Sequence, residues 1–366
     1  MGEVSALGKF ACIACGAQAV WDASKQGLVC PYCGTVSPAE LPEGQGPAEE
    51  RDLTEALRAI PADQRGWEAD RTAVQCQSCK AITLFQPGRV ADRCEFCGSP
   101  AVVAYTETRA PIHPWSLLPF LVPETTVREE IRKWYASRWF APNKLKSRAL
   151  TDTVHGLYVP YWTFDARAAA QWTAESGTYY YTTERVRGSD GTTRTRQVRR
   201  TRWTPASGSL THFFDDEPVP GTRGVEAGLL RQIEPFPTKD LKPYDPGYVS
   251  GWAVEQYQID LLAAAGHSRD QMLRKLEALC AAEVPGDTHR NLRVEADFSD
   301  QTFKHLLAPV WLLSYTYGSR TFQCVVNGYT GRIAGRHPIS WLKVLLLVLA
   351  VAIALLLLYG ISQPSP

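Results

Sequence analysis

Four Cys-x-x-Cys pairs near the N-terminus constrain this chain more than any other feature of the sequence. Eight of the ten cysteines belong to them. The pairs are Cys12 with Cys15, Cys30 with Cys33, Cys76 with Cys79, and Cys94 with Cys97. Fourteen residues separate the first pair from the second, and fourteen separate the third from the fourth. Because two residues between ligands let one tight turn direct both sulfurs at one ion, the repeat predicts two four-thiolate zinc ribbons, at residues 1–37 and 70–103.

The residue that follows each pair supports a metal-binding turn. Gly16, Gly34 and Gly98 directly follow a second cysteine, where a backbone with positive φ suits the turn, and Lys80 is the exception. A redox pair is the alternative, but that chemistry uses a single pair at the start of a helix in a βαβ unit. Since thiolate fills all four positions of each site, we predict two structural Zn²⁺ ions and no catalytic metal.

The segment between the ribbons is acidic. Residues 38–69 begin with a stretch rich in Pro, Gly and Glu, and we predict a linker with a short helix over 48–60. The whole chain has a net charge of +1, which points to no class of partner. An acidic spacer argues against a continuous phosphate-binding surface across both ribbons.

Residues 104–340 mix helical and strand patterns and predict an α+β domain. Amphipathic helices are predicted over 127–140 and 269–282. Each is followed by an apolar strand with the pattern Leu-x-x-Pro-x-Trp, at 157–162 and 306–311. The repetition predicts a duplicated unit of a helix followed by antiparallel strands. The prolines predict that these strands lie at a sheet edge or begin there.

A basic hairpin is predicted over residues 178–203, with its turn at 188–191. It carries seven arginines, opposed by Glu184 and Asp190: Arg185, Arg187, Arg194, Arg196, Arg199, Arg200 and Arg202. Three interpretations stay open. The hairpin is a solvated element whose charges prevent edge-to-edge aggregation, it contacts anionic lipid or protein, or it binds single-stranded nucleic acid through phosphate contacts and aromatic stacking.

Other polar and sulfur-bearing residues predict no catalytic chemistry. His212, Asp215 and Asp216 lie in a stretch rich in Pro and Gly, and we predict a surface loop there. Cys280 and Cys324 lie outside the paired pattern, and core packing is expected for both. No constellation of side chains predicts an enzyme or a small-molecule substrate.

An apolar segment near the C-terminus predicts a transmembrane helix over 341–361. Residues 344–359 are apolar without interruption. At ~1.5 Å per residue the helix measures ~31 Å, enough to cross the hydrocarbon core of a bilayer. Basic residues precede it and none follows, so the positive-inside rule places residues 1–340 in the cytoplasm and 362–366 outside. No apolar leader is found over 1–8, which agrees with zinc thiolates held in the reducing cytosol at the cytoplasmic membrane.

Four further stretches carry a resemblance to known proteins. They are Arg65-Gly-Trp67, Arg138-Trp-Phe-Ala-Pro-Asn143, Gly156-Leu-Tyr-Val-Pro-Tyr-Trp-Thr-Phe-Asp165 and Val326-Asn-Gly-Tyr-Thr-Gly331. With the ribbons, they resemble a family of bacterial membrane-anchored double-zinc-ribbon proteins. Members are often labelled primosomal protein N′ (replication factor Y) or PriA-helicase-like. The resemblance implies association with PspA-like and SPFH/flotillin-like proteins in envelope-stress systems, with the zinc-ribbon protein as a membrane tether.

The helicase label disagrees with the residues. A helicase motor needs a Gly-x-x-x-x-Gly-Lys-Ser/Thr loop to hold phosphate, and the sequence contains none. Gly8-Lys9 is followed by Phe10 and lacks the upstream glycine. The sequence therefore predicts a non-enzymatic membrane adaptor that recruits cytosolic proteins. The alternative is a zinc-ribbon protein that binds nucleic acid, related to replication but without helicase activity.

Overall fold

The computed structural model describes most of the chain outside the termini and the linker between the ribbons. The described residues are 10–37, 50–58, 72–85, 93–96, 99–100, 102–104, 112–142, 154–187, 193–317 and 320–362. The architecture is α+β, as predicted, and most of it is sheet. The five helices of the described residues are α1 (Leu53–Arg58), α2 (Glu124–Ala136), α3 (Ala227–Ile233), α4 (Leu261–Glu283) and α5 (Trp341–Ser362).

The strands of the described residues form a small sheet and a large one. The small sheet pairs β1 (Val20–Asp22) with β2 (Gly27–Val29). The large sheet contains twelve strands. They are β3 (Arg51–Asp52), β4 (Thr72–Cys76), β5 (Ile82–Phe85), β6 (Val102–Ala104), β7 (Ser116–Leu117), β8 (His155–Arg187), β9 (Thr193–Pro220), β10 (Lys242–Pro243), β11 (Ala253–Glu255), β12 (Thr288–Tyr317), β13 (Arg320–Asn327) and β14 (Ile333–Gly335).

Two units of the large sheet have the same order of strand, helix, strand and strand. The first is β7–α2–β8–β9 and the second is β11–α4–β12–β13. The long strands β8 and β12 pair antiparallel at the centre. Each unit's short first strand crosses to the other unit, because β7 pairs parallel with β12 and β11 pairs parallel with β8. The two units therefore share one sheet and exchange their first strands.

The tryptophans of the repeated motif make equivalent hydrogen bonds between the units. Trp162 Nε1 donates to the carbonyl of Ile259 at 2.9 Å, just before α4. Trp311 Nε1 donates to the carbonyl of Val122 at 3.1 Å, just before α2. Each tryptophan thus ties its own strand to the segment that leads into the other unit's helix, which gives a physical role to the repeated pattern.

The motif prolines lie inside central strands, and the prediction of edge strands or strand starts was wrong. Pro160 pairs with Leu307 in the centre of the sheet. Opposite β12, strand β8 pairs with β11 up to Tyr158 and with β9 from Tyr161 onward. Pro160 lies in the gap between these two partners. Pro309 lies at the equivalent place on β12, between the residues that pair with β7 and those that pair with β13. A residue without an N–H fits there because no strand needs its hydrogen bond.

Both main helices begin earlier than predicted. Helix α4 starts at Leu261 rather than at residue 269, because the side chain of Asp260 accepts a hydrogen bond from the backbone N–H of Ala263 at 2.8 Å. Helix α2 starts at Glu124, after Pro123, and ends at Ala136 instead of residue 140. Its buried face consists of Val127, Ile131 and Tyr135. The linker helix is shorter than predicted, and most of the linker lies outside the described residues.

Strands β8, β9 and β12 extend together as an arm. Alternate residues of β8 from Ala166 to Ala174 are buried against α4, where Met272, Leu276 and Cys280 face them. Beyond Gly177 the arm continues as the two-stranded β8–β9 hairpin. At about 3.3 Å per residue, the stretch from Asp165 to Arg187 extends roughly 70 Å.

Helix α5 is the last element of the chain. Its described side chains from Leu345 to Leu356 are apolar and exposed, with exposed fractions of 55% and 70% at those two leucines. Among the residues that the structure describes, no helix combines the length and hydropathy needed to cross a membrane. The transmembrane segment stays a prediction.

Candidate metal centres and the arginine hairpin

The first two Cys-x-x-Cys pairs meet in one cluster. The sulfur atoms of Cys12, Cys15, Cys30 and Cys33 all lie within 4.8 Å of one another. The Cys12–Cys33 and Cys15–Cys30 sulfur pairs are each 3.5 Å apart. That spacing is too long for a disulfide bond, and it is close to the ~3.8 Å between sulfurs of a tetrahedral site with Zn–S bonds of ~2.3 Å.

The turns around the first three pairs use the same backbone hydrogen bond. In the first turn the N–H of Gly16 donates to the carbonyl of Cys12 at 2.8 Å. The N–H of Gly34 donates to Cys30 at 3.0 Å, and the N–H of Lys80 donates to Cys76 at 2.9 Å. All three donors have positive φ, including Lys80 at 65°. The turn requires the left-handed backbone whether or not the residue is glycine.

The third and fourth pairs form a second cluster. Sulfur atoms of Cys76, Cys79 and Cys94 lie within 4.8 Å of one another, with 3.5 Å between Cys79 and Cys94. The fourth predicted ligand, Cys97, lies outside the described residues. Cys76 and Cys94 are buried and Cys79 is half-buried. This cluster therefore offers at least three thiolate ligands to one ion.

The donor set of both clusters fits Zn²⁺. Backbone N–H groups point at the sulfurs, from Ala14 to Cys12 and from Phe96 to Cys94, each at 3.4 Å. Such bonds stabilise a thiolate. The Thr35 hydroxyl, 3.2 Å from Cys33 Sγ, and the Thr35 backbone lower the pKa of Cys33 to about 6. Zinc at the first cluster would stabilise the fold, because four thiolates fill a tetrahedral coordination shell.

The first ribbon is packed against the domain through the segment that precedes β11. The backbone N–H of Trp21 donates to the carbonyl of Ser250 at 3.1 Å, and the hydroxyl of Ser250 donates to the carbonyl of Ala19 at 2.7 Å. The indole of Trp21 donates to the carbonyl of Phe120 at 3.2 Å. Gly251 has a φ of +83° and packs against Val20. A Cβ at position 251 would lie 2.4 Å from Cγ1 of Val20. The ribbon is therefore part of the core.

The second ribbon is part of the large sheet. Its strand β5 pairs antiparallel with β11, opposing Leu84 to Val254. Phe96 lies between Cys94 and Cys97 in the sequence and is fully buried. Its carbonyl accepts hydrogen bonds from the side chains of Ser314 and Gln323. Both cysteine clusters thus lie on elements that pack against or pair with the α+β domain.

The arginine hairpin divides its charges between two faces. Residues that pair across an antiparallel ladder lie on the same face, and successive residues alternate. The register therefore places Arg196, Arg200 and Arg202 on one face, and Arg185 and Arg199 on the other. The side chains of Arg187 and Arg194 lie outside the described residues.

Aromatic and acidic side chains contact some of these arginines. Arg199 lies over the ring of Tyr179, 4.3 Å from its centroid. Arg200 pairs with Glu184, which raises the pKa of the guanidinium. Arg185 and Arg196 are exposed, so at least two guanidinium groups are presented to solvent on opposite faces.

The predicted loop at His212, Asp215 and Asp216 is instead part of strand β9. Asp215 and Asp216 lie within 4.8 Å of Asp165 on β8, measured between carboxylate oxygens. The buried ammonium of Lys304 lies 2.7 Å from Asp216 and 3.7 Å from Asp165. Sequence patterns missed this group because its members are distant in the chain. The lysine already supplies the counter-charge to the carboxylates.

Aromatic side chains surround the start of helix α5. The ammonium of Lys343 donates to the carbonyls of Trp139 and Ala141 at 3.0 and 2.8 Å. The loop after α2 is thereby fixed beside the helix. Trp139 and Trp341 are 76% and 80% exposed. Two indole rings are therefore presented to solvent next to an apolar helix.

Fold and cysteine geometry together define a mixed α+β protein with two clusters suited to zinc. The chain is similar to a protein described as "Uncharacterized protein YdjG" from Bacillus subtilis (strain 168), with 23% identity over 232 residues. The match covers 63% of this chain and 65% of the relative. No family model matches the chain, and no solved structure matches it. The zinc-ribbon family resemblance stays a prediction.

Proposed function

We propose that this chain is a non-enzymatic zinc-ribbon adaptor that holds partner proteins at a membrane. The observation that carries the proposal is helix α5. Its described side chains from Val344 to Leu356 are all apolar, and those from Leu345 onward are exposed. A monomer in water rarely leaves such a surface uncovered, and a bilayer is the solvent that matches it.

The surroundings of α5 support a membrane as its environment. Trp139 and Trp341 suit the interface between lipid and water, where an indole can be both apolar and hydrogen-bonded. Lys343 places one positive charge at the same level. The resulting orientation keeps the ribbons and the α+β domain on the cytoplasmic side, where cysteines stay reduced for zinc.

The rigid placement of the ribbons supports an adaptor. Thiolate ligands leave no open position on a bound zinc ion for chemistry, so the clusters act as structural supports for the surface around them. Exposed side chains such as Tyr32 and Ile13 lie next to the first cluster. The resemblance of the sequence points to PspA-like or SPFH/flotillin-like proteins as partners in an envelope stress response.

Membrane fractionation tests the anchor. The full chain should stay in the membrane pellet after an alkaline carbonate wash, whereas a chain that ends at Ser340 should move to the soluble fraction. Unchanged zinc content in the shortened chain is the control for folding. Recovery of the full chain in the soluble fraction would contradict the proposal. Crosslinking in intact cells, followed by identification of bound proteins, then tests recruitment.

Nucleic-acid binding is the second candidate function, and the exposed Arg185 and Arg196 favour it. A titration of single-stranded DNA into the protein at several salt concentrations discriminates nucleic-acid binding from the adaptor function. A steep loss of affinity with salt, abolished when Arg196, Arg199 and Arg200 are changed to Ala, would favour this candidate. The matched control changes the same three residues to Lys, which keeps the charge.

A further inference from the structure

The chain makes a tight turn directly after helix α2. The turn comprises residues 138–141, and the backbone N–H of Ala141 donates to the carbonyl of Arg138 at 3.0 Å. Trp139 and Phe140 therefore occupy its two central positions. Ala141 is fully buried in the core, whereas the side chains of Trp139 and Phe140 are 76% and 37% exposed. We name this element the Trp-Phe turn.

Two large aromatic rings at the tip of a turn are unusual. The central positions of turns favour Gly, Pro, Asn, Asp and Ser, each for a conformational reason. An aromatic side chain that is buried removes ~150–250 Å² from water. Here the base of the turn is buried, but the ring of Trp139 stays mostly in solvent. The fold of the turn does not explain these residues, and they point to a partner outside the chain.

Three hydrogen bonds fix the turn beside the beginning of helix α5. The carbonyl of Phe140 accepts a hydrogen bond from the backbone N–H of Ser340 at 2.8 Å. The ammonium group of Lys343 donates to the carbonyls of Trp139 and Ala141 at 3.0 and 2.8 Å. Ser340 and Lys343 are separated by less than one helical turn. The two aromatic rings are therefore held at the level where α5 begins.

The surroundings of the turn define the chemistry of its partner. Both neighbours of Ser340, Ile339 and Trp341, are apolar and exposed. The exposed guanidinium of Arg138 lies over the ring of Trp134, 4.8 Å from its centroid, and adds a positive charge at the base of the turn. Aromatic rings next to cationic groups suit the headgroup layer of a bilayer, where rings contact the acyl boundary and cations contact lipid phosphate.

We propose that the Trp-Phe turn is a second membrane-binding element, which inserts Trp139 and Phe140 into the phospholipid headgroup layer beside α5. The contact rests on the proposed function, because the bilayer that surrounds α5 is also what covers the turn. It adds to a single anchor that the α2 end of the domain lies directly on the lipid surface. The domain is thereby held at two points instead of swinging from one helix.

Photo-crosslinking of the full-length, zinc-loaded protein in liposomes of phosphatidylcholine and phosphatidylglycerol tests the turn. Three variants carry the photoreactive p-benzoylphenylalanine in place of Trp139, of Leu349 in α5, or of Leu262 in α4. All three side chains are exposed. Mass spectrometry of the digested protein detects lipid adducts. Adducts are expected at positions 139 and 349, and position 262, which belongs to the other unit, should give several-fold less.

A second substitution tests insertion of the aromatic pair. Phe140→Ser, introduced into the protein with the photoreactive group at position 139, should lower the lipid adduct several-fold, because the turn loses half of its apolar tip. The adduct at position 349 should stay unchanged. The matched control is Leu262→Ser, which also replaces an exposed apolar side chain and should change neither adduct. Unchanged zinc content in each variant is the control for folding.

The labelled positions separate the second contact from the anchor. Lipid adducts at position 349 without any at position 139 would overturn the second contact and leave the anchor intact. Adducts at position 139 alone would support the contact and contradict a spanning helix. Crosslinks from position 139 to a protein instead of lipid, or a lipid adduct there that Phe140→Ser does not lower, would overturn the proposal. Absence of lipid adducts at both positions would contradict contact and anchor together.

Discussion

At the scale of single residues, one cysteine turn places a lysine in a backbone conformation that favours glycine. Gly16 and Gly34 have positive φ at no cost, whereas Lys80 has the same conformation with a side chain attached. A left-handed backbone costs a residue with a Cβ roughly 1–2 kcal/mol. The second ribbon therefore forms despite a local penalty, which its pairing with β11 offsets.

Changing Lys80 to Gly should stabilise the zinc-loaded protein by about 1 kcal/mol, because it removes this conformational penalty. Thermal unfolding at saturating zinc measures it. The control is Glu129→Gly, at an exposed position in the middle of helix α2, which should destabilise by a similar amount. A lower unfolding temperature for Lys80→Gly would contradict the interpretation of the turn.

Glu234 should give the protein a pH-dependent stability. Its pKa is about 7, against an ordinary 4.5, because burial disfavours the charged form. The folded state therefore retains a proton that the unfolded chain loses between these values. This contribution to stability is complete below about pH 4.5 and is lost as the pH rises to about 7, with a slope of at most about 1.4 kcal/mol per pH unit.

Denaturant unfolding at several pH values, with zinc saturating, measures this slope. The glutamine of Glu234→Gln cannot titrate. As the pH rises from 5 to 7, the free energy of unfolding of the variant should therefore increase relative to that of the unchanged protein. A difference that is independent of pH would show that Glu234 is not desolvated in the folded state.

At the scale of elements, the two ribbons are integrated with the domain in different ways. The first packs on the segment before β11, and the second adds strands to the sheet through β5. Both arrangements depend on close approach of backbones. Gly251 is the clearest case, since it combines a φ of +83° with a hypothetical Cβ 2.4 Å from Val20.

Gly251→Ala should separate the first ribbon from the domain and destabilise the protein by about 1–3 kcal/mol, through backbone strain and overlap with Val20. Denaturant unfolding measures the loss, and Trp21 fluorescence should shift to the red as its ring becomes hydrated. Gly266→Ala in helix α4 is the control. No atom outside its own helix lies within 4 Å of that position, and alanine should stabilise it by about 1 kcal/mol.

Zinc stoichiometry tests the two clusters as separate elements. Cys15→Ser should lower the bound zinc from two ions per chain to one and lower the unfolding temperature, because a four-thiolate site loses one ligand. Cys280→Ala changes a buried cysteine of α4 far from both clusters in sequence and should keep two ions. Elemental analysis of the purified protein provides the count, and an unchanged count in Cys15→Ser would exclude the first site.

At the scale of the whole molecule, two similar units build one sheet and exchange their first strands. The hydrogen bonds of Trp162 and Trp311 link the units in both directions, so neither can unfold without exposing the core of the other. A single cooperative unfolding transition is the expected consequence for the domain. Both ribbons pack into this shared core, and the arm and helix α5 extend from it.

The sequence by itself determined the cysteine pairs, the presence of the two main helices, the arginine hairpin and the repeated Leu-x-x-Pro-x-Trp pattern. These depend on spacing and periodicity within short stretches, where local geometry fixes the outcome. Tertiary structure alone decided that the motif prolines lie where neighbouring strands change. It also brought Tyr161 to Glu234 and Lys304 to Asp165 and Asp216. Such groups are separated by about 70 to 140 positions along the chain, so only the pairing of distant strands can place them together.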